Sequence, residues 1–182
     1  MKHPVGVKNR ANMFNWFNRK SADKDVARRW RDAVNASARN PEPFLREWIT
    51  DTVYGRFNMV TLLATLAMRR MRDLGGEGKA LSEAFSELLF SDFDHALREH
   101  GVGDSSIARR IRKMGEEFFG LAKAVDQALS ASTPKQAVAE VLQRNVQKDA
   151  EKAEALAAYL IDLNVDVEDL SDAQVRAGPD AL

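Results

Sequence analysis

The chain has 182 residues, 45% hydrophobic and 30% charged, enough for one globular domain with its own core. Its formal net charge is zero, and the absence of cysteine excludes disulfides, thiolate metal sites and cysteine nucleophiles. Three histidines, His3, His95 and His100, are thin material for an enzyme.

The charges are nevertheless sorted along the chain. Residues 1–31 hold nine Lys/Arg against Asp23 and Asp25, while residues 149–182 hold nine acids against Lys152 and Arg176. The two ends either attract each other, serve separate partners, or are simply solvated. Residues 1–22 read as a basic, partly disordered segment without the apolar core of a secretory signal, and Met13 offers an alternative start. Within it, residues 13–20 are amphipathic: Met13, Phe14, Trp16 and Phe17 share one arc, with Asn15, Asn18 and Arg19 opposite. Phe14, Trp16, Phe17 and Arg19 would touch an anionic membrane surface or a partner, unless the arc packs on the protein's own body.

A helix is expected through Val26, Trp30, Ala33, Val34 and Ser37, ending before Pro41-Glu42-Pro43. After a short connector at 44–49 comes the stretch around which the chain is organised, Asp51-Thr52-Val53-Tyr54-Gly55-Arg56-Phe57, leading into an apolar run through Met68. Only Asn58, Thr61 and Thr65 are polar between Phe57 and Met68, so a helix over about 53–73 is greasy on nearly every side. The run is too short to cross a bilayer and is bracketed by charge, so it is a central core helix. Asp51 or Thr52 would cap its start, and Arg69, Arg70 and Arg72 suit its partially negative end.

Leu74-Gly75-Gly76-Glu77-Gly78 reads as a glycine-rich stop, followed by a helix through Leu81, Ala84, Phe85, Leu88 and Leu89. Ser91-Asp92-Phe93-Asp94 would break and restart the chain before a helix–helix turn at Gly101-Val102-Gly103. Asp104 or Ser105 then caps a helix that buries Ile107, Ile111, Met114, Phe118, Leu121, Val125 and Leu129. Thr133-Pro134-Lys135-Gln136 predicts a capping box opening the last long helix, whose middle, residues 143–154, is solvent-facing or slightly broken. Residues 164–182 read as an acidic tail with one short helix near Ser171, fraying after Gly178-Pro179. No alternating strand pattern appears. The expected fold is all-α: a single-domain irregular bundle over 23–163 around a buried central helix.

Three clusters are candidates for chemistry. Asp92, Asp94, His95, Glu99, His100 and Asp104 are dense in potential ligands, but the helical His/Glu spacings of a bundle metal site are missing, so capping and ion pairing is the simpler reading. Arg109, Arg110, Arg112 and Lys113 form a basic stripe for phosphate or RNA, as on a ribosome, or an outer face paired with Glu116 and Glu117. Arg56 would gather carboxylates, with Asp51, Asp92 and Asp94 as possible partners. No nucleophile with its base is recognisable. No catalytic residue, metal, cofactor or DNA contact is expected.

The Asp51-to-Met59 stretch, together with Phe90-Ser91-Asp92-Phe93-Asp94-His95-Ala96-Leu97-Arg98-Glu99-His100-Gly101-Val102-Gly103-Asp104, closely resembles the ubiquinol-cytochrome c chaperone family. The similarity covers most of residues 13–170. The chain departs where members often carry a histidine within the apolar run, here Leu62-Leu63, and a Gly-Arg pair, here Gly120-Leu121. The resemblance implies a non-catalytic assembly factor for respiratory complex III that binds newly made cytochrome b or a related nascent membrane protein. It also implies a small partner protein, a place near the ribosome, and a cytoplasmic location peripheral to the inner membrane, or the matrix side in a mitochondrion. Asp51, Tyr54, Arg56, Phe57, Asp92, Asp94, Arg98, Glu99 and Asp104 would then build or brace the binding face.

Overall fold

A computed structural model describes residues 24–99 and 104–182. All regular structure among them is helical: α1 (24–37), α2 (Glu42–Leu45), α3 (Val53–Arg72), α4 (Gly76–Glu99), α5 (Asp104–Leu129), α6 (Pro134–Asn145), α7 (Ala150–Glu168) and α8 (Asp172–Ala177). The amphipathic unit at 13–20, His100 and the Gly101-Val102-Gly103 turn lie outside the described residues, as does the Asp104 side chain.

α3 is the centre, packed by α4, α5 and α7. Thr52 caps it, its side-chain oxygen accepting from the Gly55 N–H at 3.0 Å. Met59, Leu62, Leu63, Ala64, Leu66 and Ala67 point in different directions around the helix, yet all are buried. The buried hydroxyls of Thr61 and Thr65 donate to the carbonyls of Phe57 and Thr61 at 2.9 and 2.7 Å, which satisfies them within the helix. Two close approaches demand glycine. A Cβ on Gly55 would lie 1.9 Å from the Thr50 carbonyl oxygen, and one on Gly78 would lie 1.7 Å from that of Met71, where α4 leaves α3.

The basic knot at the end of α3 does more than complement the helix dipole. Nearly buried Arg70 donates to the Leu170 carbonyl (3.0 and 2.7 Å) and to Asp172 (2.7 Å). Arg69 reaches Asp126 on α5 (3.0 Å), Glu168 on α7 (3.2 Å) and Ser130 (2.8 Å). Arg72 grips the same Asp126 through two bonds, at 2.9 and 3.0 Å.

Four local expectations need correction. The break at Ser91–Asp94 does not occur, because Asp92 accepts from Arg31 (3.0 and 3.2 Å) and Asn35 (3.3 Å) of α1 instead of capping, so α4 runs on. The capping box at Thr133 is absent: the helix starts there with Pro134 in its first turn, but Gln136 bonds to Glu140 at 3.2 Å. The box forms at Ser171 and Gln174, opening α8. The long last helix is two helices, α6 and α7, packed on each other across a break at residues 146–149, with Asp149 capping α7.

The acidic end, lastly, does not fray. Val175 is fully buried, Trp30 donates its indole N–H to the Val175 carbonyl at 3.0 Å, and the Leu182 N–H donates to Ser37 at 3.1 Å. Trp30, Ala33 and Val34 of α1 pack beneath this strap.

Gly78→Ala should lower stability by about 1–3 kcal/mol, since backbone rather than a pliable side chain must move. Gly76→Ala, whose Cβ would meet nothing within 4 Å, should be neutral or slightly stabilising. Urea unfolding of both variants checks the contrast.

Candidate functional site

The two stretches singled out in the sequence meet in space, through rings and not charges. Phe57, buried on the first turn of α3, sits edge-on to Phe93 of α4 with centroids 5.2 Å apart. From there the rings continue: Phe93 to Phe90 at 5.6 Å, Phe90 to Phe118 at 5.3 Å and to Phe119 at 5.7 Å, while Tyr54 closes the other end 6.1 Å from Phe57. Such edge-to-face pairs stabilise by about 0.5–1.5 kcal/mol each beyond their burial, so the row is stiff. Both of its ends surface. Tyr54 is 54% exposed beside Val53 at 73%, and Phe119 is 53% exposed on α5.

Arg56 finds one of its three expected partners. It holds Asp51 through two bonds, Nε to Oδ1 at 2.7 Å and Nη2 to Oδ2 at 3.0 Å, and its guanidinium lies 4.9 Å from the Phe44 ring centroid. Both side chains of the pair are about half exposed, so the ion pair contributes only about 0–1 kcal/mol. It orients the corner more than it stabilises the fold. Asp92 is taken by α1, and Asp94 by Arg98 of the next turn at 2.8 Å, whose hydrogen bond holds the Asp94 carboxyl below the usual carboxylate range. His95 stands 3.5 Å from Glu99 on the exposed side of α4. No group of three or more potential metal ligands converges among the described residues.

On the basic stripe of α5, Arg112 and Lys113 pair with Glu116 and Glu117 at 3.9 and 3.7 Å, leaving Arg109 and Arg110 exposed. Phe14, Trp16, Phe17 and Arg19 fall outside the described residues.

Sequence reading missed the surface between α4 and α5. Two adjoining depressions of about 520 and 530 Å³ share Met68, Lys79, Ser82 and Phe119; Thr65 borders one and Phe90 the other. The available signal was Phe119, a large ring one position off the buried stripe that holds Phe118. A further concavity of about 580 Å³ between α6 and α7 shares no lining residue with either stretch.

The described residues form an all-α bundle whose surface offers exposed rings and an apolar trough. The chain belongs to the ubiquinol-cytochrome C chaperone family, whose pattern it matches over residues 48–181. It is similar to the Cbp3 homolog from Brucella abortus, known from a crystal structure: 30% identity, TM-score 0.79, 93% of this chain and 95% of that one covered. No curated protein matches it.

The clamp at one end of the trough gives a pH test. Hydrogen bonds from Arg72 and then Arg69 hold Asp126 below its ordinary value of 3.8, against the opposing effect of burial. A depressed carboxylate contributes stability that is present above the unfolded value and is lost as pH falls through the folded one. Thermal unfolding should therefore keep this contribution down to about pH 4 and lose it below. Asp126→Asn should be less stable at neutral pH and lose less on acidification.

Proposed function

We propose that this protein is a non-catalytic assembly factor of ubiquinol–cytochrome c reductase that holds newly made cytochrome b until its partners join. The single observation that carries the reading is the joining of the two family stretches into one row of rings, with Tyr54 and its neighbour Val53 exposed at its end. Exposed apolar residues clustered beside a half-exposed arginine are unusual on a solvated face and usual at a contact, where aromatics and arginine supply most of the affinity. A nascent membrane protein has the complementary problem, apolar helices with no bilayer yet around them.

In this reading Tyr54 and Arg56 touch the client, while Asp51 and Phe57 fix their angle. Asp92, Asp94, Arg98, Glu99 and Asp104 brace α4 and the start of α5 behind them. No helix among the described residues is long and apolar enough to cross a membrane, which suits action at the membrane surface from outside the bilayer. The basic N-terminal residues, with Phe14, Trp16, Phe17 and Arg19, supply a surface contact there.

The tagged protein, recovered from its native membranes in mild detergent, should bring cytochrome b with it. Tyr54→Asp should cut that yield about tenfold and Arg56→Ala less, with unchanged helicity in both. An unaltered complex III level in a deletion strain would refute the reading.

A further inference from the structure

The trough between α4 and α5 combines an apolar lining with four charges, Lys79, Lys123, Glu83 and Glu87, that are in no ion pair among the described residues. Phe90 and Phe119 form walls, and Met68 with Thr65 of α3 contributes from beneath. The hydroxyls of Ser82 and Ser86 lie 3.6 Å from the sulfurs of Met71 and Met68. Lining residues on α4 run from Lys79 to Phe90, about 16 Å at helical rise, or roughly three turns of a docked helix. Met68, the methionine of the lining, is unbranched and polarizable, so its part of the floor adapts to side chains of different shape.

The lining charges are ordered. Lys79, Lys123 and the Arg72–Asp126 ion pair border one part, where the two lysines leave an excess of positive charge, whereas Glu83 and Glu87 lie farther along α4 toward Phe90. Among the described residues no ion pair occupies Lys79, Lys123, Glu83 or Glu87. A docked helix places its partially positive N-terminus by the acids and its partially negative C-terminus by the lysines, which sets it antiparallel to α4.

We infer that this trough receives a helix of the client, apolar toward Phe119 and preceded by Lys or Arg at its N-terminal end. The inference rests on the proposed function for its source: cytoplasmic flanks of membrane spans carry an excess of Lys and Arg, and an N-in span presents that flank immediately before its apolar turns. Helix-in-groove docking then shields the first turns of the span before insertion. The chain's own residues 13–20 fit worse, because Phe14, Trp16 and Phe17 have Lys8 and Arg10 before them and Arg19 and Lys20 after them, which gives the segment no charge order.

The test uses the full chain and two fluorescent helical peptides of about 14 residues, identical in composition. One carries two lysines before its leucine stripe, the other carries them after it. Fluorescence anisotropy should show the lysine-first peptide binding about tenfold tighter. Phe119→Asp should weaken it about tenfold, and the double variant Glu83→Lys with Glu87→Lys should invert the preference between peptides, which a merely structural effect would not do. Equal binding of the two peptides, no binding, or a preference unmoved by charge reversal would overturn the inference. So would stronger binding after Trp16→Ser with Phe17→Ser, which would assign the trough to the chain's own N-terminal residues. Cytochrome b in the membrane eluate with indifferent peptides would sink the trough and leave the client reading standing. Ordered peptide binding without cytochrome b would do the opposite.

Discussion

A helix that is apolar on nearly every side has no stable place except among other helices, and α3 imposes that condition on the rest of the chain. α4, α5 and α7 cover it directly, and α6 packs on α5 and α7. The cost of burying its threonines is removed by bonds within α3 itself, so no neighbour has to supply polar partners. Neighbours are thereby free to meet it with rings and aliphatic side chains alone.

The end of α3 is where that apolar logic stops. Three arginines leave the core together, and between them they draw in three later segments: Arg69 and Arg72 share Asp126 on α5, Arg69 also takes Glu168 on α7, and Arg70 takes Leu170 and Asp172 at the entry to α8. Of the nine acids in residues 149–182, Glu168 and Asp172 are the two that pair with these arginines. A nearly buried arginine such as Arg70 would be costly with one bond; with three bonds to two acceptors it fixes the strap in a single place.

What the sequence made legible was whatever its own neighbours determine. The apolar run of α3, its threonine cap and the glycine-rich turn after it depend on residues within a few positions, and all appear as expected. Ser91-Asp92 looked like a break because serine and aspartate cap helices, but the donors to Asp92 come from Arg31 and Asn35, about sixty residues upstream. At Thr133 the capping pattern was present in letters while Gln136 preferred Glu140 one turn on. The site divides in the same way. Asp51 and Arg56 are close in sequence and were paired correctly, whereas Phe57 meets Phe93 only because α4 folds back along α3. The trough was invisible since it belongs to no single element.

The strap has a bearing on how the protein is made. Trp30 bonds to Val175, 145 residues later, and Arg70 to Leu170, 100 residues later. Both donors emerge from the ribosome long before their acceptors, so the first helix and the end of the central one pass through synthesis with buried-type groups still facing water. Contacts of such separation form late and close a partly assembled bundle all at once. An assembly factor of this kind spends its own early life exposed, much as its proposed client does.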